Sequence, residues 1–374
     1  MKHQLFIILL WIASCSMYAI EGNNYSINSF GIEDGLTQND VTSITQDHNG
    51  FIWLSTNNGL NRFDGHRIIT FKHSLDPQRS SLSSNLISSI VTDSTNCLWI
   101  ANKKEGIDRY NPETNTFEHF TSYYSQDKSI ALHNIGKIYH SPQNQIYACT
   151  QNLLLVYQPE NRRFIPHKLC LDFAKLKAQV LDLHSDAEEQ SLFIATSQGV
   201  FWYKVQEQDL KRLSTTPSSV VYFHATTNTL LYMTTQGLVR RDLKNSREQQ
   251  LLCNNNPLRG VTTLLTDSRG YLWIGTRNGL YVEKSNNIAM PFETEPDCHI
   301  LSLYEDSSKN IWIGKRTYGV TSISLKPSKF RLYNQMDSKH FAPAAFAIYP
   351  ETQDSIWIAT KQGKLHLIDR EKNT

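Results

Sequence analysis

Four aspartates stand six residues ahead of a tryptophan: Asp47 before Trp53, Asp93 before Trp99, Asp267 before Trp273 and Asp306 before Trp312. Carboxylates are the first candidates for chemistry, because two of them held together with separated pKa values can serve as general acid and base. These recur once per repeat at the head of a turn, as in Asp47-His48-Asn49-Gly50 and Asp267-Ser268-Arg269-Gly270. That favours a structural role, the Asp side chain accepting backbone amides two residues on. The histidines His133, His140, His184 and His224 are dispersed, and a core or solvated role is expected for each. There is no nucleophile elbow, H-E-x-x-H helix, phosphate loop or dinucleotide fingerprint. Cys97, Cys149, Cys170, Cys253 and Cys298 form no C-x-x-C pair and no Cys/His ligand set, so they read as small buried hydrophobes. No catalytic residue, metal or cofactor is expected.

What remains is a recurrent set of polar residues just beyond the third position after each aromatic. They are Asn57 and Asn58; Lys103, Lys104 and Glu105; Ser197 and Gln198; Gln236; Arg277 and Asn278; Arg316 and Tyr318. Solvated loops are the plain reading. The sharper one is a site for a hydroxyl-rich, acidic oligosaccharide, with Arg277 and Arg316 clamping carboxylate or sulfate in bidentate fashion. The candidate ligand-binding residues are Lys103, Lys104, Arg277, Asn278, Arg316, Tyr318 and Trp202. Trp202 is included because it lies outside the repeat register, where stacking on a sugar competes with ordinary packing. Tyr123 and Tyr124 carry a weaker form of the same case.

The elements that must position these loops follow from the repeat itself. With Tyr147, Phe193, Leu231 and Trp357 in the aromatic place, successive copies are 46, 48, 46, 38, 42, 39 and 45 residues apart. Each copy holds an apolar strand, the Asp turn, a second strand and a glycine such as Gly59 or Gly279 at the next turn. A third strand and a short fourth ending in Phe71 or Phe117 complete it. A large residue followed two positions later by a small one, as in Trp273 and Gly275, is the taper that sheets converging on an axis require. The expected fold is all-β, a seven-bladed β-propeller of four-stranded blades followed by the first blade of a second, truncated propeller. In such a ring the loops between second and third strands open at one mouth. Lys and Arg total 37 against 35 acids, and this balance gives no drive toward nucleic acid.

The phrases Gly35-Leu36-Thr37-Gln38-Asn39-Asp40-Val41, Gly50 to Asp64 and Gly270 to Leu280 resemble the periplasmic two-component regulator propeller repeats of Bacteroidetes hybrid sensor histidine kinases. The match is strong in copies one, two, six, seven and eight and weak in three to five. In that family two seven-bladed propellers precede an immunoglobulin-like domain, one membrane span, a histidine kinase, a receiver and often a DNA-binding module. The resemblance implies a non-catalytic ligand-sensing region, with oligosaccharide as partner, and leaves a homodimer open. A protein-interaction scaffold and a propeller lyase or glycosidase are the rival readings.

Lys2 and His3 before the apolar run Leu5 to Ile12 read as a signal peptide over residues 1–22, which implies export to the periplasm. Ile12-Ala13-Ser14-Cys15 offers a lipoprotein alternative. Tyr25 to Phe30 resembles a fourth strand and should close the ring, giving a propeller over 25–324 and the start of a second over 325–374. Leu171 to Val180 suits either a short helix or a strand approach.

Overall fold

The structure is a computed structural model and describes residues 25–126, 128–285, 288–292, 298–324, 345–352, 355–360 and 365–369. The proposed signal peptide and residues 325–344 lie outside the described residues. Two units are present, Ser26–Leu325 and a smaller C-terminal one.

The larger unit is a seven-bladed propeller. The blades span residues 41–71, 87–120, 135–166, 180–214, 221–250 and 261–292; the seventh spans 300–324 and is completed by Ser26–Phe30. In each blade the first strand is innermost and the next three follow antiparallel outward. Ser26–Phe30 pairs antiparallel with Val320–Ser324, so the ring closes through its N-terminal strand and keeps no open blade. Phe30 packs on Trp312 and Phe63, with ring centroids 6.3 and 4.8 Å away, which ties the closing strand into the seam between blades 7 and 1.

The spacing of Asp and Trp has a direct cause. In blade 1 one oxygen of Asp47 accepts the amides of Asn49 and Phe51, each at 3.0 Å. The other accepts the indole N–H of Trp53 at 2.8 Å. Asp93 and Trp99, Asp267 and Trp273, and Asp306 and Trp312 repeat the clasp at 2.7 to 2.9 Å. One carboxylate thus shapes the turn and satisfies the polar edge of a buried ring, which would otherwise cost about 1–3 kcal/mol. Arg62 and Arg109 lie over the outer faces of these rings, with guanidinium centres 5.7 and 5.2 Å from the Trp53 and Trp99 centroids.

The small residue after each Trp abuts the next blade. A Cβ on Gly314 would sit 2.7 Å from the Val41 carbonyl oxygen of blade 1, and one on Gly275 would sit 2.7 Å from the Ile300 side chain of blade 7. The inner strands also carry a bulge one residue in, at the same place in six of the seven blades. At the bulge, the hydroxyls of Thr42, Ser88 and Thr262 donate to Ile87, Ile135 and Ile300 of the following blade at 3.2, 2.7 and 2.6 Å. Ser302 closes the circuit onto Val41 at 3.2 Å.

Blades 3 to 5 are joined differently. Lys137 of blade 3 pairs with the buried Asp182 of blade 4, whose other oxygen accepts the Val221 amide of blade 5 at 3.0 Å. The Tyr222 hydroxyl accepts the Thr266 amide of blade 6 at 2.9 Å. Arg240 of blade 5 holds Glu283 of blade 6 by two bonds of 3.1 and 2.7 Å. The clasp changes as well: Tyr147 takes the Trp place in blade 3, and its hydroxyl donates to Glu189 of blade 4, which also accepts from Ser141.

Blades 3 and 6 are widened to six strands by hairpins in the connectors before them, Ser122–Ser125 with Lys128–Ala131, and Leu252–Cys253 with Asn256–Pro257. A short α-helix, Cys170–Lys175, buries Cys170 and Phe173, so the helical alternative holds in that connector. Cys97, Cys149, Cys170 and Cys298 are buried and Cys253 is half-buried. The C-terminal unit is a three-stranded sheet, Ala345–Pro350, Ser355–Thr360 and Leu365–Asp369, with Ile356 and Ile358 buried. It is the partial eighth blade.

Candidate ligand-binding mouth

The loops between second and third strands are held by a threonine staple. Thr56 accepts the Asn58 amide at 3.0 Å and donates to the Gly59 carbonyl at 3.0 Å. Thr196, Thr234 and Thr276 do the same in blades 4, 5 and 6. Four of the loops, those of blades 2, 4, 6 and 7, are bonded to the connector that enters their own blade. The amides of Lys103, Ser197, Arg277 and Arg316 donate to the carbonyls of Leu86, Gln179, Gly260 and His299 at 2.9, 3.0, 3.0 and 2.8 Å. Loops and connectors therefore make one rim at one end of the axis.

Between blades 7 and 2 the rim is a continuous polar chain. Asp40 accepts the Thr317 amide at 2.9 Å through one oxygen and the Asn57 amide group at 3.4 Å through the other. The Asn57 carbonyl oxygen accepts the Lys103 ammonium at 2.8 Å. Lys103 is thus held in place by a neutral group and keeps its charge uncompensated. The neighbouring Lys104 and Glu105 are exposed, and the Lys104 carbonyl contacts the His133 ring at 3.1 Å.

Arg277, Asn278, Arg316 and Tyr318 are all exposed on the loops of blades 6 and 7. Among the described residues neither guanidinium has an acidic partner. Arg67, Arg109, Arg162, Arg240, Arg241 and Arg269, in contrast, all lie within ion-pair distance of carboxylates. His299 stands in the connector beside them. Burial, and next the Arg316 and Arg277 charges, hold its imidazole below the usual histidine range.

The structure brings Lys103, Lys104, Arg277, Asn278, Arg316 and Tyr318 to the one rim and does not bring Trp202 there. Trp202 lies on the third strand of blade 4, paired in register with Phe193. Its ring stacks on Phe193 at 6.0 Å, in the place that Arg62 and Arg109 take in blades 1 and 2. Asp40 and His299 were not foreseen as site residues: each stands just ahead of an inner strand, a repeat position that holds Leu86, Gln179 and Gly260 in other blades. Their signal was positional: a connector and the loop after it end on the same face.

The mouth offers cations, amides and one exposed phenol. Among the described residues no group of three or more His, Cys, Asp or Glu is placed to hold a metal ion.

The two component regulator propeller model matches residues 35–58, 257–278 and 294–314. Histidine kinase P4 of Formosa agariphila is 42% identical over 66 residues, a stretch that covers 18% of this chain and 4% of that protein. The extracellular domain of a hybrid two component system from B. thetaiotaomicron superposes with a TM-score of 0.67 at 24% identity, covering 92% of this chain and 48% of that one. Virginiamycin B lyase from Staphylococcus aureus superposes at 0.60 with 12% identity, covering 81% of this chain and 100% of the lyase. The chain therefore spans only a small part of the kinase it matches and about half of that sensor domain. At these identities the two superpositions speak to the fold, and the three matched segments carry the signature of two component regulator propeller repeats.

Proposed function

We propose that this region is the periplasmic ligand-sensing propeller of a hybrid two-component regulator. It recognises acidic polysaccharide fragments at the mouth and performs no chemistry itself. The observation that carries this reading is the pair of exposed guanidiniums, Arg277 and Arg316, on adjacent loops with no acidic partner among the described residues. An arginine beside another cation gains most from an anion shared between them, and its planar fork suits carboxylate or sulfate. Lys103 and Lys104 extend the positive rim, Asn278 supplies an amide for hydroxyls, and Tyr318, 48% exposed, offers a ring face to a sugar. The repeats and the extracellular neighbour support the sensor role, and residues 1–22 support export, with the Cys15 lipoprotein route as the variant. Signal transmission then requires kinase parts that lie outside these residues.

A lyase reading has one observation in its favour, the shared propeller fold, but the mouth residues described above include no nucleophile bonded to a base. The test is calorimetry of the wild type and the Arg277→Ala/Arg316→Ala double variant against acidic and neutral glycan fragments at two salt concentrations, with product analysis of each mixture. Charge-assisted bonds contribute about 1.5–3 kcal/mol each, so the double variant should bind acidic fragments at least about tenfold more weakly. Unchanged affinity, or tight salt-independent binding of a neutral fragment, overturns the acidic reading. New products would replace the sensor by an enzyme.

A further inference from the structure

His299 stands just ahead of the inner strand of blade 7, and its neighbours set it between the loops of blades 6 and 7. On the blade 7 side its carbonyl accepts the Arg316 amide at 2.8 Å. On the blade 6 side the next residue, Ile300, accepts the Thr262 hydroxyl at 2.6 Å and packs against Gly275, two residues before Arg277. The Arg277 amide in turn donates to Gly260, two residues before Thr262. The half-buried residue thus stands on the rim between the loops that carry Arg277 and Arg316, and both of their charges act on its ring.

The other charged group facing it is Asp40, from the connector entering blade 1, and both Asp40 oxygens are already engaged by Thr317 and Asn57. Lys315, one residue before Arg316, is buried in the blade, and Cys298 beside His299 is buried as well. The connector before His299 also carries Glu293, Glu295 and Asp297 in sequence, outside the described residues. Desolvation and the two arginines disfavour a third positive charge here, so the free site holds a neutral imidazole at pH 7. An anion seated on the arginines reverses that balance.

We propose that His299 is a proton-dependent third ligand of the Arg277–Arg316 site, so that a carboxylate or sulfate of the ligand binds together with one proton. The inference rests on the acidic-ligand reading above and adds regulation by pH to it. Because the bound state holds the extra proton, affinity rises as the pH falls through the bound-state pKa of His299 and levels off below its free-state value. Sulfates and uronates remain ionised over that range, since carboxylates titrate near pH 4.

The experiment uses the full exported chain, with inorganic sulfate and a galacturonic acid tetramer as probes. The His299 ring is followed by NMR through a pH titration in the wild type and in Arg277→Gln/Arg316→Gln, with His299→Gln for assignment and His299→Asn as a second variant. Calorimetry is run at pH 5.5 and 7.5 in two buffers of different ionisation enthalpy. The expected result is about five- to tenfold tighter binding at pH 5.5, uptake of about one proton, and loss of both in the His299 variants. The arginine variant should raise the His299 titration toward the ordinary histidine range. Binding that is independent of pH, or a pH dependence that survives in His299→Gln, overturns the proton coupling alone. If neither probe binds at either pH while the arginines still depress His299, the acidic-ligand reading fails and takes this inference with it.

Discussion

The ring is made of two arcs joined by different physics. From blade 6 through 7, 1 and 2, neighbouring inner strands are stitched by a neutral hydroxyl on the next blade's backbone, and each blade with a tryptophan clasps it with its own aspartate. From blade 3 through 5 the stitches are the Lys137–Asp182 pair, the Tyr222 hydroxyl and the Arg240–Glu283 fork, and the clasp of Tyr147 reaches into the next blade. The first arc repeats because every joint is local and interchangeable. The second has lost the repeat because each joint is a private agreement between two blades. A buried charged joint is costly to break from one side, whereas a neutral one contributes only about 0.5–1.5 kcal/mol.

The comparison is broken most severely at Asp182. Replacing it by alanine removes the acceptor for the Val221 and Leu183 amides, at 3.0 and 2.9 Å, and strips Lys137 of its partner. The Lys137 side chain keeps 39% of its exposure, so its charge remains partly solvated and the loss is set mainly by the two amides. Asp182→Ala should cost about 2–4 kcal/mol in urea unfolding, and hydrogen exchange should rise first in blades 4 and 5. Uniform exchange around the ring would abolish the distinction between arcs.

Acid should act on the same arc. Burial lowers His167 and His184 to about 4, both in or beside blades 3 and 4, while unfolded histidine titrates near 6.5. The unfolded state therefore takes up protons first, and stability contributed by the neutral rings is complete above about pH 6.5 and is lost as the pH falls toward 4. At pH 5 each should cost about 1–2 kcal/mol relative to pH 7. His184→Gln, measured by denaturant midpoint against pH, should flatten half of that slope. An unaltered slope would mean that channel water already solvates the ring, which packs at 4.9 Å on Tyr222.

The smallest effect belongs to the regular arc. Thr42→Val keeps the shape at the bulge and removes a hydroxyl that bonds Ile87 of the next blade and Ser55 of its own, so the loss should stay below about 2 kcal/mol. A larger loss would show that the neutral stitches are as consequential as the charged ones.

The sequence made the regular arc readable because its signals are spaced locally. Asp and Trp six residues apart, and a small residue two after the Trp, report a turn, a ring and a crowded seam without knowledge of any partner. The indole bond itself was not legible, since nothing in the spacing says that the second carboxylate oxygen turns inward. Glu189 was invisible for a different reason: it serves Tyr147 from 42 residues away, and no period of the repeat connects them. At the mouth, Arg277 and Arg316 could be placed from the loops. His299 and Asp40 were not, because the place just ahead of the inner strand holds Leu86, Gln179 and Gly260 in other blades and so carries no common side-chain chemistry. Trp202 was drawn into the site by being out of register, whereas its ring serves the blade it sits in.

The strand that completes blade 7 also decides how the ring bears mechanical load. Ser26 lies opposite Ser324 and Phe30 opposite Val320, so the two ends of the ring leave the same sheet at the same end of one ladder. Tension applied through them opens that ladder pair by pair, as a zipper, instead of shearing all its bonds at once. Blade 7 is therefore the mechanical fuse: it yields at low force while the six other blades remain off the load path, and reannealing one short strand restores the ring.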